Sequence, residues 1–195
     1  MENSFVSKAH RTSGHVHFAE ADSHRPLLLR AASILPVVSE SKLPAVVNTA
    51  NLRKVPLELW VLPNSTGSAC GELFFDDGES IDTVQSGDYN FYAFKLSNCE
   101  LSIKAVHFGY KAKINTPEQS VLKVDTIKVA LSSTKAVNTE SLHVSISGSN
   151  STHIKATIEH KTLNIRLTEA LDLLKSGSKV AIKFKNQLTG ECFTH

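Results

Sequence analysis

The sequence predicts an all-β protein of two consecutive antiparallel β-sandwich domains. Three observations lead there: apolar residues recur at every second position through the second half, Gly/Ser/Asn clusters separate those stretches, and prolines punctuate the first half too often for helices. With 195 residues the chain can bury a real core, as one large β domain or as two of about 100 residues each.

The elements follow in chain order. Residues 1–14 are polar and mixed and read as an N-terminal tail, with no charged cap leading into an apolar stretch and hence no visible signal peptide. Strands are expected at 15–19, 27–30, 34–38, 57–62, 71–76 and 89–96, with Pro36, Pro44, Pro56 and Pro63 suited to strand ends and edges. The division between domains falls at Ser97-Asn98-Cys99, giving a first domain over 15–98 and a second over 99–195. Over 121–131 the apolar phase shifts: Leu122 and Val124 share one parity and Ile127, Val129 and Leu131 the other, so a bulge or a change of sheet is expected at Asp125-Thr126. Leu142, Val144 and Ile146, then Ile154, Ala156 and Ile158, then Leu163, Ile165 and Leu167, then Val180, Ile182 and Phe184 alternate with polar residues, each a strand with one dry face. Ser147-Gly148-Ser149-Asn150, Lys161 and Ser176-Gly177-Ser178 supply the turns between them. The one helical candidate is 168–175, where Thr168 could cap and Gly177 could stop the turn.

Composition excludes several functions. Lys and Arg total 21 against 19 Asp and Glu, a formal charge of +2, which is far from the concentrated basic surface that nucleic-acid binding requires. No apolar run reaches the roughly 18 residues of a membrane span. Cys70, Cys99 and Cys192 make neither a disulfide framework nor the Cys-x-x-Cys spacing of a zinc or redox site. Two N-glycosylation sequons, at Asn64 and Asn150, stand in turn-rich stretches.

The densest cluster is Gly71-Glu72-Leu73-Phe74-Phe75-Asp76-Asp77-Gly78-Glu79-Ser80, a strand running into an acidic turn. It resembles the G-x-L-F-W-D-D-G-E-S segment of glycoside hydrolase family 31, the α-glucosidase and sucrase-isomaltase family, in the β region after the catalytic barrel. Arg25-Pro26-Leu27-Leu28-Leu29-Arg30-Ala31-Ala32-Ser33-Ile34-Leu35-Pro36 is similar to that family's R-G-G-S-I-I-P segment, and Pro56-Leu57-Glu58-Leu59-Trp60-Val61-Leu62 to its next strand. The resemblance is specific over residues 15–97 and beyond them rests on the pattern of a distal sandwich. It implies that the two domains are the proximal and distal C-terminal β-sandwiches of a retaining α-glucosidase. It also implies, as partner, the family's catalytic barrel in cis or in trans, a secretory, lysosomal or extracellular parent, and no cofactor. Ala31-Ala32 replaces the family's Gly-Gly and Phe75 its Trp, while the strand bearing the nucleophile and the loop bearing the acid/base Asp have no counterpart.

Asp76, Asp77 and Glu79 are therefore weighed as turn or barrel-contact residues rather than as a catalytic pair. Glycoside hydrolysis needs two carboxyls facing one another across the scissile bond, and neighbours on extended backbone point to opposite faces. Trp60, Phe74, Phe75, Tyr89, Phe91 and Tyr92 are the aromatic candidates for a carbohydrate surface, most of them read as core, and Trp60, Phe74 and Phe75 are also candidates for contact with the barrel. Trp60 and Leu62 lie on the strand face opposite Leu59 and Val61, so that second face is either covered by a neighbour or leaves Trp60 partly exposed. His15 and His17 share a strand face without an assignable third metal ligand. If the hairpin centres on Val84-Gln85, Cys70 and Cys99 come opposite and a disulfide between them is feasible. The function expected is a non-catalytic portion of an α-glucosidase-like enzyme, with a stand-alone module binding α-glucan as the alternative.

Overall fold

The computed structural model describes residues 29–45, 48–98, 100–110, 122–131, 142–146, 154–159, 161–174 and 179–186. It is all-β, as expected. Ten strands occur among them: β1 (Ser33–Val38), β2 (Leu57–Leu62), β3 (Ala69–Phe75), β4 (Asn90–Ser97), β5 (Glu100–Phe108), β6 (Lys123–Ala130), β7 (Leu142–Ile146), β8 (Ile154–Glu159), β9 (Thr162–Asp172) and β10 (Lys179–Asn186). Among the described residues, helix is limited to a 3₁₀ segment, Glu40–Ala45, and two single turns, α1 (Thr49–Leu52) and α2 (Thr83–Ser86). Pro56 and Pro63 flank β2, so the missing N–H groups fall just outside its ladder.

The strands form one mixed sheet in the order β7-β10-β5-β4-β3-β1-β2-β6-β9-β8. All pairs are antiparallel except β1 with β3 and β2 with β6. The β1–β3 join is a single pair, Ser33 with Cys70, reinforced by the Cys70 N–H donating to the Ala32 carbonyl at 3.0 Å. Backbones come so close there that a Cβ on Gly71 would sit 2.0 Å from the Ile34 carbonyl oxygen, so only glycine fits. At this narrow join the sheet folds over on itself. Ile34, Leu59, Val61, Val124, Ile127, Val129, Leu163 and Ile165 on one side and Tyr92, Phe94, Leu96, Leu101 and Ile103 on the other belong to one buried core. The Tyr92 hydroxyl crosses it to donate to the Leu173 carbonyl at 3.2 Å, and burial, with the Asp172 charge adding, pushes that phenol up to about 12.

Several expectations fall where they were placed. Asp125 is skipped by both neighbours of β6: Leu57 pairs with Val124 and Glu58 with Thr126, and the β9 register also shifts between Val124 and Thr126. The parity change thus keeps Leu122, Val124, Ile127, Val129 and Leu131 all buried. Lys161 makes the β8–β9 turn at φ 62. Two features differ. Residues 168–172, read as helical, continue β9, because Leu171 and Asp172 pair with Val124 and Lys123 beyond the bulge. The division expected at residues 97–99 falls in the β4–β5 turn, with Asn98 at φ 48, and leads into a strand, Glu100–Phe108, absent from the sequence reading. Strands from either side of that turn share one sheet and one core, since β2 pairs with β6 and β4 with β5. The expected strand at 15–19 and most of that at 27–30 lie outside the described residues.

Candidate functional site

The acidic turn after β3 is held by its own carboxylates. Asp76 Oδ1 accepts from the Gly78 N–H at 2.8 Å and from Arg53 Nη2 at 3.2 Å, while Oδ2 accepts from the Thr83 hydroxyl at 2.9 Å. Arg53 Nη1 also donates to the Asp76 carbonyl, and the guanidinium lies 5.0 Å from the centre of the Phe75 ring. Gly78, at φ 73, lets the chain turn beneath that guanidinium, where a Cβ would come 2.3 Å from Arg53 Nη2. Asp77 accepts from the Ser80 hydroxyl at 2.5 Å and from the N–H groups of Ser80 and Glu79 at 3.0 and 3.1 Å. These bonds, the Ser80 hydroxyl first, hold its carboxyl down at about 2. A group ionised that firmly cannot act as a general acid near neutral pH, where the role calls for a raised pKa. Glu79 is exposed on the same turn.

The aromatic residues divide between core and surface. Tyr92 is buried, and Phe75 packs on the core with Tyr110 at its edge, 5.9 Å between ring centres. Phe74 is 44% exposed and stacks on Tyr89, which stacks on His107, with ring centres 5.1 and 4.0 Å apart. His107 Nε2 donates to the Gly87 carbonyl at 2.9 Å, which closes the β3–β4 connection onto β5. In register, Phe74 lies opposite Phe91 and Phe91 opposite His107. Ile81 and Val84 on the connection, and Val106 and Phe108 on β5, are also exposed at this end of the sheet. The connection after β3 carries Asp76, Asp77, Glu79, Asp82 and Asp88, and Arg53 from α1 is paired with Asp76 there.

Trp60 belongs elsewhere. It is half-buried, set between Leu35 of β1 and Lys128 of β6, with Nε1 donating to Glu58 Oε2 at 3.1 Å and the Lys128 ammonium 5.8 Å from its ring centre. Lys128 pairs with Glu58 at 2.9 Å. Burial pushes the Glu58 carboxyl up, but hydrogen bonds from Lys128, Ser39 and Trp60 and the Lys128 charge outweigh it, leaving the group below its ordinary value.

The disulfide expected between Cys70 and Cys99 is not formed. The β3–β4 register centres between Asp82 and Thr83, so Cys70 faces Lys95 and keeps a free, exposed thiol, and Cys99 lies outside the described residues. Asn64 sits in the β2–β3 loop, with the adjoining Ser65 and Thr66 exposed. Asn150, His15 and His17 lie outside the described residues. Among the described residues no group of three or more His, Cys, Asp or Glu could hold a metal, and no helix is long and apolar enough to cross a membrane. Sequence reasoning missed Arg53, Thr83 and His107. A signal for Arg53 existed, since Arg53-Lys54 are the last cations before the acidic stretch.

No family model matches the chain. It is nevertheless 38% identical to human intestinal sucrase-isomaltase over 103 residues, which is 53% of this chain and 5% of that protein. It is 34% identical to rat lysosomal alpha-glucosidase over 99 residues, half of this chain and 10% of that one, and 32% identical to human probable maltase-glucoamylase 2 over 150 residues, 75% and 5%. The chain thus spans a small fraction of the length of these relatives. Among solved structures, the catalytic subunit of an ER glucosidase II complex with the binding domain of its regulatory subunit superposes with a TM-score of 0.55. That match has 18% identity and covers 82% of this chain and 17% of the other. A glucosidase II alpha subunit with Tris bound superposes with a TM-score of 0.53 at 17% identity over the same shares. The chain is therefore similar in sequence to enzymes of glycoside hydrolase family 31, as the acidic-turn motif implied, and has the fold of part of such a subunit.

Proposed function

We propose that this chain is the non-catalytic, C-terminal β portion of a family 31 α-glucosidase-like enzyme, and that the Phe74 end of its sheet packs against the catalytic barrel. The observation that carries the reading is the pairing of two features at one end. Phe74, Ile81 and Val84 stand in water there. The adjoining carboxylates of Asp76 and Asp77 are engaged within the protein, by the turn and, for Asp76, by Arg53. Exposed large apolar residues grouped on one end of a domain mark a surface that another surface covers. The remaining acids there, Asp77, Glu79, Asp82 and Asp88, favour a partner whose apolar centre is edged by basic or hydrogen-bonding groups. The parent activity on this reading is hydrolysis of terminal α-linked glucose, with this chain bracing the barrel rather than supplying acid or nucleophile.

Hydrophobic-dye fluorescence of the purified chain is the test. Strong uptake is expected, falling in Phe74→Ser and Ile81→Ser, and a monodisperse monomer that takes up no dye overturns the reading. Glucose release from maltose by the pure chain overturns its non-catalytic part. Saturable binding of α-glucan that disappears in Trp60→Ala would make the chain a sugar-binding module instead.

A further inference from the structure

We infer that Asn64 is an N-glycosylation site built to carry its glycan in the folded state, at the end of the sheet away from the Phe74 patch. The sequon Asn64-Ser65-Thr66 supplies the residue types, and the fold supplies three further conditions. The first is access. Pro63 ends β2, Ser65 and Thr66 are exposed, and Gly67, at φ 72, turns the chain where an added Cβ would meet nothing within 4 Å.

The second is the orientation of the amide. Asn64 Oδ1 accepts from the Thr66 N–H at 3.0 Å, the Thr66 hydroxyl at 2.7 Å and the Ser68 N–H at 2.9 Å. Three donors on one atom identify it as the oxygen and turn Nδ2 the other way. Nδ2 makes no hydrogen bond among the described residues. A glycosylated asparagine keeps its carbonyl oxygen, so the loop's hydrogen bonds, including Asn64 N–H to the Ser68 carbonyl at 2.9 Å, survive the modification intact.

The third is position. The loop leads into Ala69 at the start of β3, while Phe74 and the acidic turn lie at its finish, about 20 Å away at roughly 3.3 Å per residue. A glycan on Asn64 leaves the apolar end clear. In the transfer, Nδ2 bonds to the anomeric carbon of a polyprenyl-pyrophosphate-linked oligosaccharide. The bond from that carbon to the pyrophosphate oxygen breaks, the lipid pyrophosphate departs, and the amide nitrogen gives up one proton.

The test translates the full chain behind a cleavable secretory leader in the presence of microsomes, with leader removal reporting translocation. An endoglycosidase-sensitive mass increment is expected on the peptide containing Asn64, absent in Asn64→Gln and Thr66→Ala and kept in Thr66→Ser. Thr66→Ala leaves the Asn64 acceptor in place but removes a loop hydrogen bond along with the sequon, so Thr66→Ser, which keeps both hydroxyl and sequon, is its control. Leader-cleaved chain whose Asn64 peptide is unmodified overturns the inference, and so does an increment on that peptide that survives Thr66→Ala. Dye uptake at the Phe74 end should be the same before and after deglycosylation, and a glycan that suppresses it overturns the placement.

Discussion

The Arg53 guanidinium covers the Phe75 ring and grips Asp76 by both its carboxylate and its carbonyl, fastening α1 to the far end of β3. Arg53→Ala removes a cation–π contact and charge-assisted hydrogen bonds from a partly buried site. A loss of about 1–3 kcal/mol is expected, read as a lower Tm. Arg53→Lys should restore only part of it, because an ammonium cannot reproduce the planar fork. A wild-type Tm for Arg53→Ala would show that the turn holds without the clamp.

Ala32 occupies the left-handed region at φ 65, at a position where the resembling family carries glycine. A Cβ in that conformation costs about 1–2 kcal/mol, of which glycine gives back part through its freer unfolded chain. Ala32→Gly is therefore expected to raise stability by about 0.5–1 kcal/mol by urea titration. A destabilised variant would mean that the Ala32 methyl contributes packing that outweighs the strain.

The depressed carboxyls set the sign of acid sensitivity. A group whose folded pKa lies below its unfolded one contributes fully above the unfolded value and loses that contribution as pH falls through the folded one. For Asp77 the window runs from 3.8 down to about 2. The stability gap between wild type and Asp77→Asn should be constant near neutrality and close across that window. Glu58 behaves with the same sign. Lys128→Met strands it, costing about 1–3 kcal/mol at pH 7 and less once the carboxyl is protonated. Urea midpoints against pH check both, and a gap that widens on acidification contradicts the assignment.

Tyr92→Phe deletes one hydroxyl and leaves the Leu173 carbonyl without that donor inside the core. The expected loss is about 1–3 kcal/mol, seen in thermal unfolding, with the fold kept because ring volume is unchanged.

What the sequence disclosed follows from how local each feature is. The parity change at Asp125 was readable because a strand buries alternate residues, so an unpaired extra residue must invert the pattern. The bounds of β2 were readable from Pro56 and Pro63. Residues 168–172 were misread because Ala170, Leu171 and Leu174 also fit one side of a helical turn, and only pairing with Val124 and Lys123 decides between the two. β5 carried a clean alternation of Leu101, Ile103 and Ala105 against Ser102 and Lys104, hidden by placing a division at residues 97–99, just before it. Of the candidate site, the acidic turn was legible as a motif. The Arg53 clamp and the His107 stack were not, since each joins segments that only the folded sheet brings together.

The parallel β2–β6 pairing decides when this chain can fold. β2 emerges early, yet its neighbour on one side is β6, and β6 in turn needs β9. During synthesis Leu57–Leu62 waits as an open edge, with Leu59 and Val61 wet, until Lys123–Ala130 and Thr162–Asp172 have left the ribosome. Unpaired apolar strands of that kind invite association with other chains, and long-range pairings form slowly. A chain stalled or cut before β6 would thus be a sticky hairpin array rather than a smaller stable protein.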